Sequence, residues 1–392
     1  MFSLSLTGRK LPLCDETAFE VTAVDVTFVD VMLLKPLPRP KLKLLDAFAG
    51  PHGIDGYLEQ VNPLLVTGEG RAEVIAVERT TADSATLTLR PNRVWRGFRA
   101  GQFVQVAVEV DGVRHQRCYS PACVEGRGST LEITVKRHPQ GLVSNFLVEH
   151  AAPGLVLGLG DPEGDFHLPS PRPESVLLIG GGSGITPLMA ILRTLLAEGY
   201  EGSIALLYYT PDPAGTIYGE ELDRLATRHD NFTLLHSYTR APDSGELQGH
   251  FSPLHLPEAD PCFAEAETFA CGPAGLLDAV RGTWANGLEH RLHVESFVPP
   301  TFVPAGEPGE GTVRFAESGL EVENSGASLL EQAEAAGLSP AFGCRMGICH
   351  TCTCRKRAGT HKNLITGAVS SAPDEEIQLC VSAALGDLTV EL

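Results

Sequence analysis

The sequence predicts a multidomain chain: an antiparallel β-barrel, then an α/β domain on a parallel sheet, then a small α+β domain. Three observations carry this. Between Arg71 and Lys136, short segments alternate apolar and polar residues, with turn signals at Asp111-Gly112 and Gly126–Gly128. That is the texture of antiparallel strands closing on themselves. From Ser175 to Trp284, apolar strand segments take turns with helical ones, which calls for a parallel sheet. From Thr312 onward come a hairpin, one capped helix, and a loop crowded with cysteines.

Composition bounds what such a chain can do. At 392 residues it has room for two or three separate cores, and 43% hydrophobic with 20% charged residues describes an ordinary globular chain. A net charge of −19 offers no basic stripe, so nucleic acid is excluded as a partner. Ten cysteines are too few for a disulfide scaffold in a chain this long. Free thiols on this scale point to a reducing compartment, and the reading is cytoplasmic. No apolar run reaches membrane-spanning length. Val21–Leu34 is rich in apolar residues, but Asp25 and Asp30 interrupt it and no small-residue cleavage site follows.

Taken in order, residues 1–68 read as an extended arm, punctuated by Pro36, Pro38, Pro40, Pro51 and Pro63, with at most a short helix near Leu42–Phe48. Residues 69–170 form the barrel. Its strands are expected at Arg71–Thr80, Ser84–Arg90, Gln102–Glu109, Val113–Tyr119, Thr130–Lys136 and Leu155–Leu159, with a helix at Leu142–His150. Residues 171–298 form the α/β domain, after the proline-marked Pro169–Pro173. Strands are expected at Ser175–Ile179, Ile204–Tyr209, Phe232–Ser237 and Thr268–Cys271; helices end near Glu198, Arg228 and Trp284. A Pro/Gly linker occupies 299–311. Residues 312–392 hold a hairpin at Thr312–Phe315 and Leu320–Glu323, and a helix opened by the capping box Ser328–Glu331 and ended by Gly337. The cysteine loop and a last strand at Leu388–Leu392 complete it.

Four stretches carry chemistry. Cys344, Cys349 and Cys352 are spaced C-x4-C-x2-C, and Cys380 follows at a distance, the thiolate pattern of a plant-type [2Fe–2S] cluster. A zinc site or a disulfide is the competing reading, but zinc favours paired C-x2-C knuckles and only one such pair exists here. Gly343 and Gly347 leave room for backbone amides to approach the sulfides. Gly141, opening a helix with Val143, Ser144 and Asn145 in its first turn, makes an anion site from backbone donors. Gly180–Gly184, leading into Ile185-Thr186-Pro187, is a glycine turn between a buried strand and a helix, suited to a pyrophosphate. Cys271-Gly272-Pro273 repeats that geometry at a later strand end; Cys271 either lines a nicotinamide site or is a small buried hydrophobe. Arg117-Cys118-Tyr119-Ser120 ends a barrel strand and is too short to be specific by itself.

In this order, Arg117–Ser120, Gly180–Pro187 and Cys271-Gly272-Pro273 resemble the ferredoxin–NADP reductase superfamily. The terminal cysteine loop narrows the resemblance to reductases fused to a plant-type ferredoxin domain, over residues 57–392. Asp55-Gly56-Tyr57-Leu58-Glu59, Asn62-Pro63-Leu64 and Trp95-Arg96-Gly97 look like the actinobacterial reductases that feed acyl-CoA desaturases. Alkane and aromatic hydroxylase reductases share most of that likeness. The resemblance implies a flavin-binding barrel, a nucleotide-binding α/β domain and a β-grasp (α+β) ferredoxin domain. It implies flavin contacts from Arg117, Tyr119, Ser120, Thr134, Lys136, Gly141, Val143 and Ser144, with FAD favoured over FMN. It implies NAD(P)H contacts from Gly182, Ser183, Gly184, Thr186, Cys271, Gly272 and Pro273, and places Phe297, within Glu295-Ser296-Phe297, beside the flavin ring. The metal ligands are Cys344, Cys349, Cys352 and Cys380. No general acid or nucleophile is required. Hydride passes from NAD(P)H to flavin, and single electrons pass through the cluster to a separate iron-dependent oxygenase or desaturase, foremost a membrane fatty acyl-CoA desaturase. Any contact with a membrane would be peripheral, through that partner. An alkane, aromatic-ring or haem monooxygenase is the alternative acceptor, and a redox-sensing iron–sulfur flavoprotein the alternative class. Tyr209-Thr210-Pro211-Asp212 stands where NADPH-using relatives often place an arginine, which favours NADH, although Arg240 could supply the charge.

Overall fold

The computed structural model describes residues 53–126, 128–139, 141–285, 287–297, 310–343, 345, 347 and 350–392. The helix expected near Leu42–Phe48 and all but the last two residues of the 299–311 linker lie outside these. The extended arm is corrected at its end: α1 (Gly53–Val61) is a helix, followed by a 3₁₀ turn at Pro63–Leu65 that Asn62 caps. The Asp55 carboxylate accepts from the amides of Thr67 (2.8 Å) and Gly68 (2.7 Å), and Glu59 pairs with Arg71 at 2.6 Å. Charged acceptors on backbone amides are the firmer ties, since an exposed ion pair is worth under about 1 kcal/mol.

The first sheet contains β1 (Arg71–Thr81), β2 (Ser84–Pro91), β3 (Phe103–Val110), β4 (Val113–Tyr119), β5 (Leu131–Lys136) and β6 (Val156–Glu163), in the order β4-β3-β6-β1-β2-β5. Every pairing is antiparallel. The chain leaving β4 closes the barrel: Pro121 bridges to Ile133, and the Ala122 amide donates to the Glu132 carbonyl at 2.8 Å. Alternation puts Leu87, Leu89, Val104, Val106 and Ile133 wholly inside. Helix α2 (Leu142–His150) plugs the barrel with Val143, Leu147 and Val148.

The second sheet is parallel, with β7 (Ser175–Gly181), β8 (Ser203–Thr210), β9 (Phe232–Tyr238), β10 (Glu267–Cys271) and β11 (Leu292–Glu295) in the order β11-β10-β7-β8-β9. Helices α3 (Ile185–Glu198), α4 (Gly219–Arg228), α5 (Leu256–Ala259) and α6 (Ala274–Trp284) connect the strands. The unalternating run in β7 has a direct cause. Val176 and Leu178 face a core continuous with the barrel, while Leu177 and Ile179 face a second one with Trp284. The strand order reverses between β7 and β10, and ligands bind at the carboxyl ends of strands at such a switch point. Both glycine turns lie there.

The third sheet contains β12 (Thr312–Phe315), β13 (Leu320–Glu323), β14 (Thr353–Asn363), β15 (Val369–Ser370), β16 (Glu375–Gln378) and β17 (Ser382–Val390), in the order β13-β12-β17-β14-β15 with β16 on β14. It packs against α7 (Leu329–Ala335), whose capping box forms at Ser328 and Glu331. The last strand spans 382–390 rather than starting at Leu388. Strand β14 buries Lys356, whose ammonium donates to His361 Nδ1 (3.1 Å), the Ser370 carbonyl (3.0 Å) and Glu375 Oε2 (3.1 Å). Among the described residues no helix is long and apolar enough to cross a membrane.

Candidate functional site

The two turns at the switch point interlock. A side chain on Gly184 would overlap the carbonyl of Cys271, one on Gly181 would meet Pro273 Cδ at 2.6 Å, and one on Gly272 would meet Gly181 Cα at 3.0 Å. Only glycine lets the two backbones lie this close. Gly182 sits at φ +55°, faces open space, and has its carbonyl held by the Tyr208 hydroxyl at 3.0 Å. The turns floor a cleft of about 590 Å³. It gathers the expected Lys136, Gly182, Ser183, Gly184, Gly272, Pro273 and Phe297, and adds Tyr209, Thr210, Pro211, Thr239 and His250. Thr186 lies beneath, its hydroxyl donating to the Ser183 carbonyl at 3.2 Å.

Where β10 and β11 end side by side, the register pairs Cys271 with Glu295. Ser120, leaving β4, donates from Oγ to Glu295 Oε2 at 3.4 Å. Cys271 is fully buried, and burial first, the Glu295 carboxylate second, push its thiol well up. Burial likewise raises Glu295 to about 8, against a small opposing effect of the Ser120 hydroxyl. A neutral carboxyl, a hydroxyl and a thiol therefore meet with Phe297 two residues on at the cleft. Glu295 was not among the expected site residues. Its signal was a lone acid at the end of a short strand, read only as part of Glu295-Ser296-Phe297.

The remaining expected flavin residues divide into three places. Gly141 caps α2 without a side-chain bond to the helix amides, leaving that N-terminus available to an anion. A side chain at Gly141 would collide with Ser144 Oγ, and Asn145 Oδ1 is buried there with no partner. Tyr119 is half-buried, and desolvation raises its phenol. Arg117 donates to the Gln116 carbonyl (2.7 Å), and its guanidinium lies 5.8 Å from the Phe342 ring. Thr134 is not brought to the group: its hydroxyl bonds Thr86 Oγ1 at 2.6 Å and the Tyr218 hydroxyl, in the seam between barrel and α/β sheet.

Residues flanking the cysteine loop touch the barrel at Arg117 and Gln105. Thr351 Oγ1 donates to Gln105 Oε1 at 3.5 Å, and Gln105 pairs with Cys118 across β3 and β4. Cys352 and Cys380 are buried together, with the Leu379 amide donating to the Cys352 carbonyl at 3.1 Å. Cys344 and Cys349 lie outside the described residues. Arg345, Gly347 and His350 all have positive φ (59°, 75° and 52°), and Gln378 Nε2 holds the Gly347 carbonyl at 2.7 Å. Cys354 takes no part in such a set: its thiol donates to the Glu391 carbonyl at 2.8 Å, and burial, then Glu391, raise it to about 11.

Comparison with known proteins follows the same division. Residues 71–168 match the family model described as oxidoreductase FAD-binding domain, 178–282 the oxidoreductase NAD-binding domain, and 313–384 the 2Fe-2S iron-sulfur cluster binding domain. A curated "NADPH oxidoreductase" of Mycobacterium tuberculosis is 37% identical over 86% of this chain and 88% of its own length. The chain belongs to the ferredoxin–NADP reductase superfamily, with a C-terminal [2Fe–2S] domain. The reductase is also 32% identical to the ferredoxin reductase component of 3-ketosteroid-9-alpha-monooxygenase from M. tuberculosis, over 75% of this chain and 82% of that one. Among solved structures, phthalate dioxygenase reductase aligns with TM-score 0.57 and 27% identity, over 83% of this chain and 98% of its own.

The reductase is an NAD(P)H oxidoreductase whose cofactors are FAD and a [2Fe–2S] cluster. The residues present fit both groups. The α2 N-terminus, with no side-chain cap, offers backbone amides to the phosphate of a flavin, and the buried, unpartnered Asn145 oxygen offers an acceptor to a donor group. Positive φ at Arg345, Gly347 and His350, with Cys352 and Cys380 buried in one core, fits a cluster.

Proposed function

We propose that the reductase passes electrons from NADPH through FAD and its own cluster to a separate iron-dependent oxygenase, in particular a membrane fatty acyl-CoA desaturase. The observation that carries the route is the contact of Phe342 and Thr351, which flank the cysteine loop, with Arg117 of β4 and Gln105 of β3. The bound groups would supply hydride acceptance, its division into single electrons, and one-electron delivery. The chain's residues do the rest. The interlocked glycine turns and Lys136 would hold the nucleotide, with Ser120, Tyr119 and the α2 N-terminus holding the flavin. Cys271 and Glu295, both kept neutral by burial, would leave the strand ends where the two groups are expected to meet without a fixed anion. Cys344, Cys349, Cys352 and Cys380 would hold the cluster.

Two supports bear on the finer choices. Curated relatives include reductase subunits of steroid and glycine betaine monooxygenases, which favours an oxygenase as acceptor over a redox-sensing role. The segment that carries the desaturase likeness forms the α1 clip at Asp55, Glu59 and Asn62. For the donor, the Arg240 amide bonds the Pro211 carbonyl at 2.8 Å, which sets an exposed arginine at the cleft rim. This favours NADPH and reverses the lean toward NADH.

The test is reconstitution. The flavin- and cluster-loaded protein, mixed with a membrane desaturase or with a soluble oxygenase, should support NADPH-driven turnover of the desaturase. Support of only the soluble enzyme would overturn the finer reading. Cys344→Ser should keep NADPH-to-ferricyanide activity and lose reduction of the acceptor; retention of both would remove the cluster from the route.

A further inference from the structure

We propose that Arg193 is a positioning residue for hydride transfer, a clamp that sets the distance between the flavin side of the barrel and the nucleotide cleft. The inference rests on the reading that the glycine turns hold the nucleotide while Ser120 and Tyr119 face the flavin.

Arg193 lies on α3, the helix that starts at the glycine turn and so carries Gly182–Gly184 rigidly at its head. Eight residues on, about 12 Å along the axis, its guanidinium reaches three partners from two domains. Nη1 donates to the Ala122 carbonyl (2.7 Å) and to Glu132 Oε1 (2.5 Å), both on the barrel where it closes. Nε and Nη2 donate to Glu221 Oε1 (2.8 Å) and Oε2 (2.6 Å) on α4. Its face lies 4.9 Å over the Tyr218 ring. Burial alone would make this guanidinium easier to deprotonate, but Glu221 and Glu132 more than reverse that, and it stays charged.

Tyr218 completes the seam. Its hydroxyl bonds Thr134, which bonds Thr86, and approaches Glu132 Oε1 at 3.3 Å. Tyr218 holds a left-handed backbone at φ +61° to do so, a conformation that costs a non-glycine residue free energy and persists when its surroundings fix it. Beside it, the Glu125 amide donates to Thr194 Oγ1 at 3.0 Å.

The barrel atoms that Arg193 grips are near the chemistry in sequence. Ala122 is two residues past Ser120, and the Ala122 amide is the bond that ties this segment to β5. One guanidinium thus links the residue facing the flavin to the helix whose head is the nucleotide turn. A planar, five-donor fork can fix distance and angle together, which a lysine cannot. Hydride transfer is sensitive to small errors in the approach of donor and acceptor. Among the described residues, contact between the barrel and the residues flanking the cysteine loop includes Gln105 and Arg117, which are not part of this seam.

That separation makes the proposal testable in the holoenzyme. For Arg193→Met, anaerobic stopped-flow reduction of the bound flavin by NADPH should slow by about tenfold or more. Its primary isotope effect with 4-deuterated NADPH should be fully expressed. Flavin content, NADP⁺ affinity and the later flavin-to-cluster electron transfer should match the wild type, and Arg193→Lys should recover part of the rate. Wild-type flavin reduction in a folded, flavin-loaded Arg193→Met protein would overturn the proposal, as would equal slowing of both electron-transfer steps. If that variant fails to load flavin, Tyr218→Phe, which leaves every ion pair in place, should slow the same step alone; an unchanged rate would again overturn it. Failure of the underlying reading would look different: Gly182→Val would keep wild-type NADP⁺ affinity.

Discussion

Replacing Glu295 with glutamine should remove a pH-dependent destabilisation of the reductase. The carboxyl is 8% exposed, and Ser120 is its hydrogen-bond donor. Burial raises it from 4.5 to about 8, so the folded protein keeps a proton that the unfolded chain releases across that interval. Protein that binds more protons when folded loses stability as pH rises. The wild type should therefore be most stable below pH 4.5 as far as this group is concerned, weaken through the interval, and level off above about 8. At about 1.4 kcal/mol per pH unit, the whole interval corresponds to on the order of 3–5 kcal/mol. Glutamine keeps the shape and the bond from Ser120 but carries no titrating proton. Urea unfolding of both flavin-loaded proteins from pH 5 to 9 should show Glu295→Gln gaining on the wild type as pH rises, with most of the gap open by pH 8. Parallel stability curves would show that Glu295 ionises freely in the fold and would refute the account of a neutral meeting point.

Three further outcomes follow from the same structure. Gly184→Ala sets a methyl against the Cys271 carbonyl. It should separate the interlocked turns, cost about 2–3 kcal/mol of stability, and weaken NADP⁺ binding in difference-spectrum titrations. Arg240→Ala should raise the KM for NADPH by about tenfold and leave the KM for NADH nearly unchanged in steady-state assays. Lys356→Met should destabilise the cluster domain by about 2 kcal/mol, since it strips donors from His361, Ser370 and Glu375 together. In the wild type, burial and then Lys356 lower His361, while the Ser370 hydroxyl and then Lys356 lower Glu375. Both groups thus favour the fold at higher pH. This domain should begin to lose stability as pH falls below 6.5 and lose more below 4.5, followed by urea unfolding monitored through the cluster's visible absorbance.

Legibility tracked how local the cause was. Helix α2 and the Thr312–Glu323 hairpin were readable because period, caps and turn residues lie within the segment itself. The glycine turns were readable as turns, but not as a pair: that only Gly181, Gly184 and Gly272 fit follows from one turn pressing on the other. Strand β14 was not readable. Its buried positions carry Lys356 and His361 rather than apolar side chains, so the alternation that marks a strand is absent from the letters. Thr134 shares a face of β5 with Glu132 and Lys136, and the letters show this, but not that its hydroxyl serves the seam with Tyr218 while Lys136 lines the cleft. Glu295 escaped for a third reason, because its character comes from burial beside Cys271, which no spacing encodes.

The two faces of the barrel differ in how firmly they hold their neighbours, and the difference follows the demands of the two transfers. Toward the nucleotide sheet, the barrel shares a continuous apolar core running from Leu87 and Ile133 to Leu188 and Ile191, reinforced by the half-buried Arg193 fork. Toward the cysteine loop, the ties among the described residues include a 3.5 Å hydrogen bond from Thr351 and a guanidinium 5.8 Å from Phe342. A half-buried guanidinium held bidentately by Glu221 and again by Glu132 resists displacement, whereas one long hydrogen bond and one distant cation–π contact amount to about 1 kcal/mol each at most. Hydride transfer needs two rings held in one geometry; passing a single electron needs proximity but no aligned bond. A closely held seam suits the nucleotide side, where donor and acceptor must keep one geometry, and the ties described toward the cysteine loop suit the proposed passage of single electrons, which needs proximity alone.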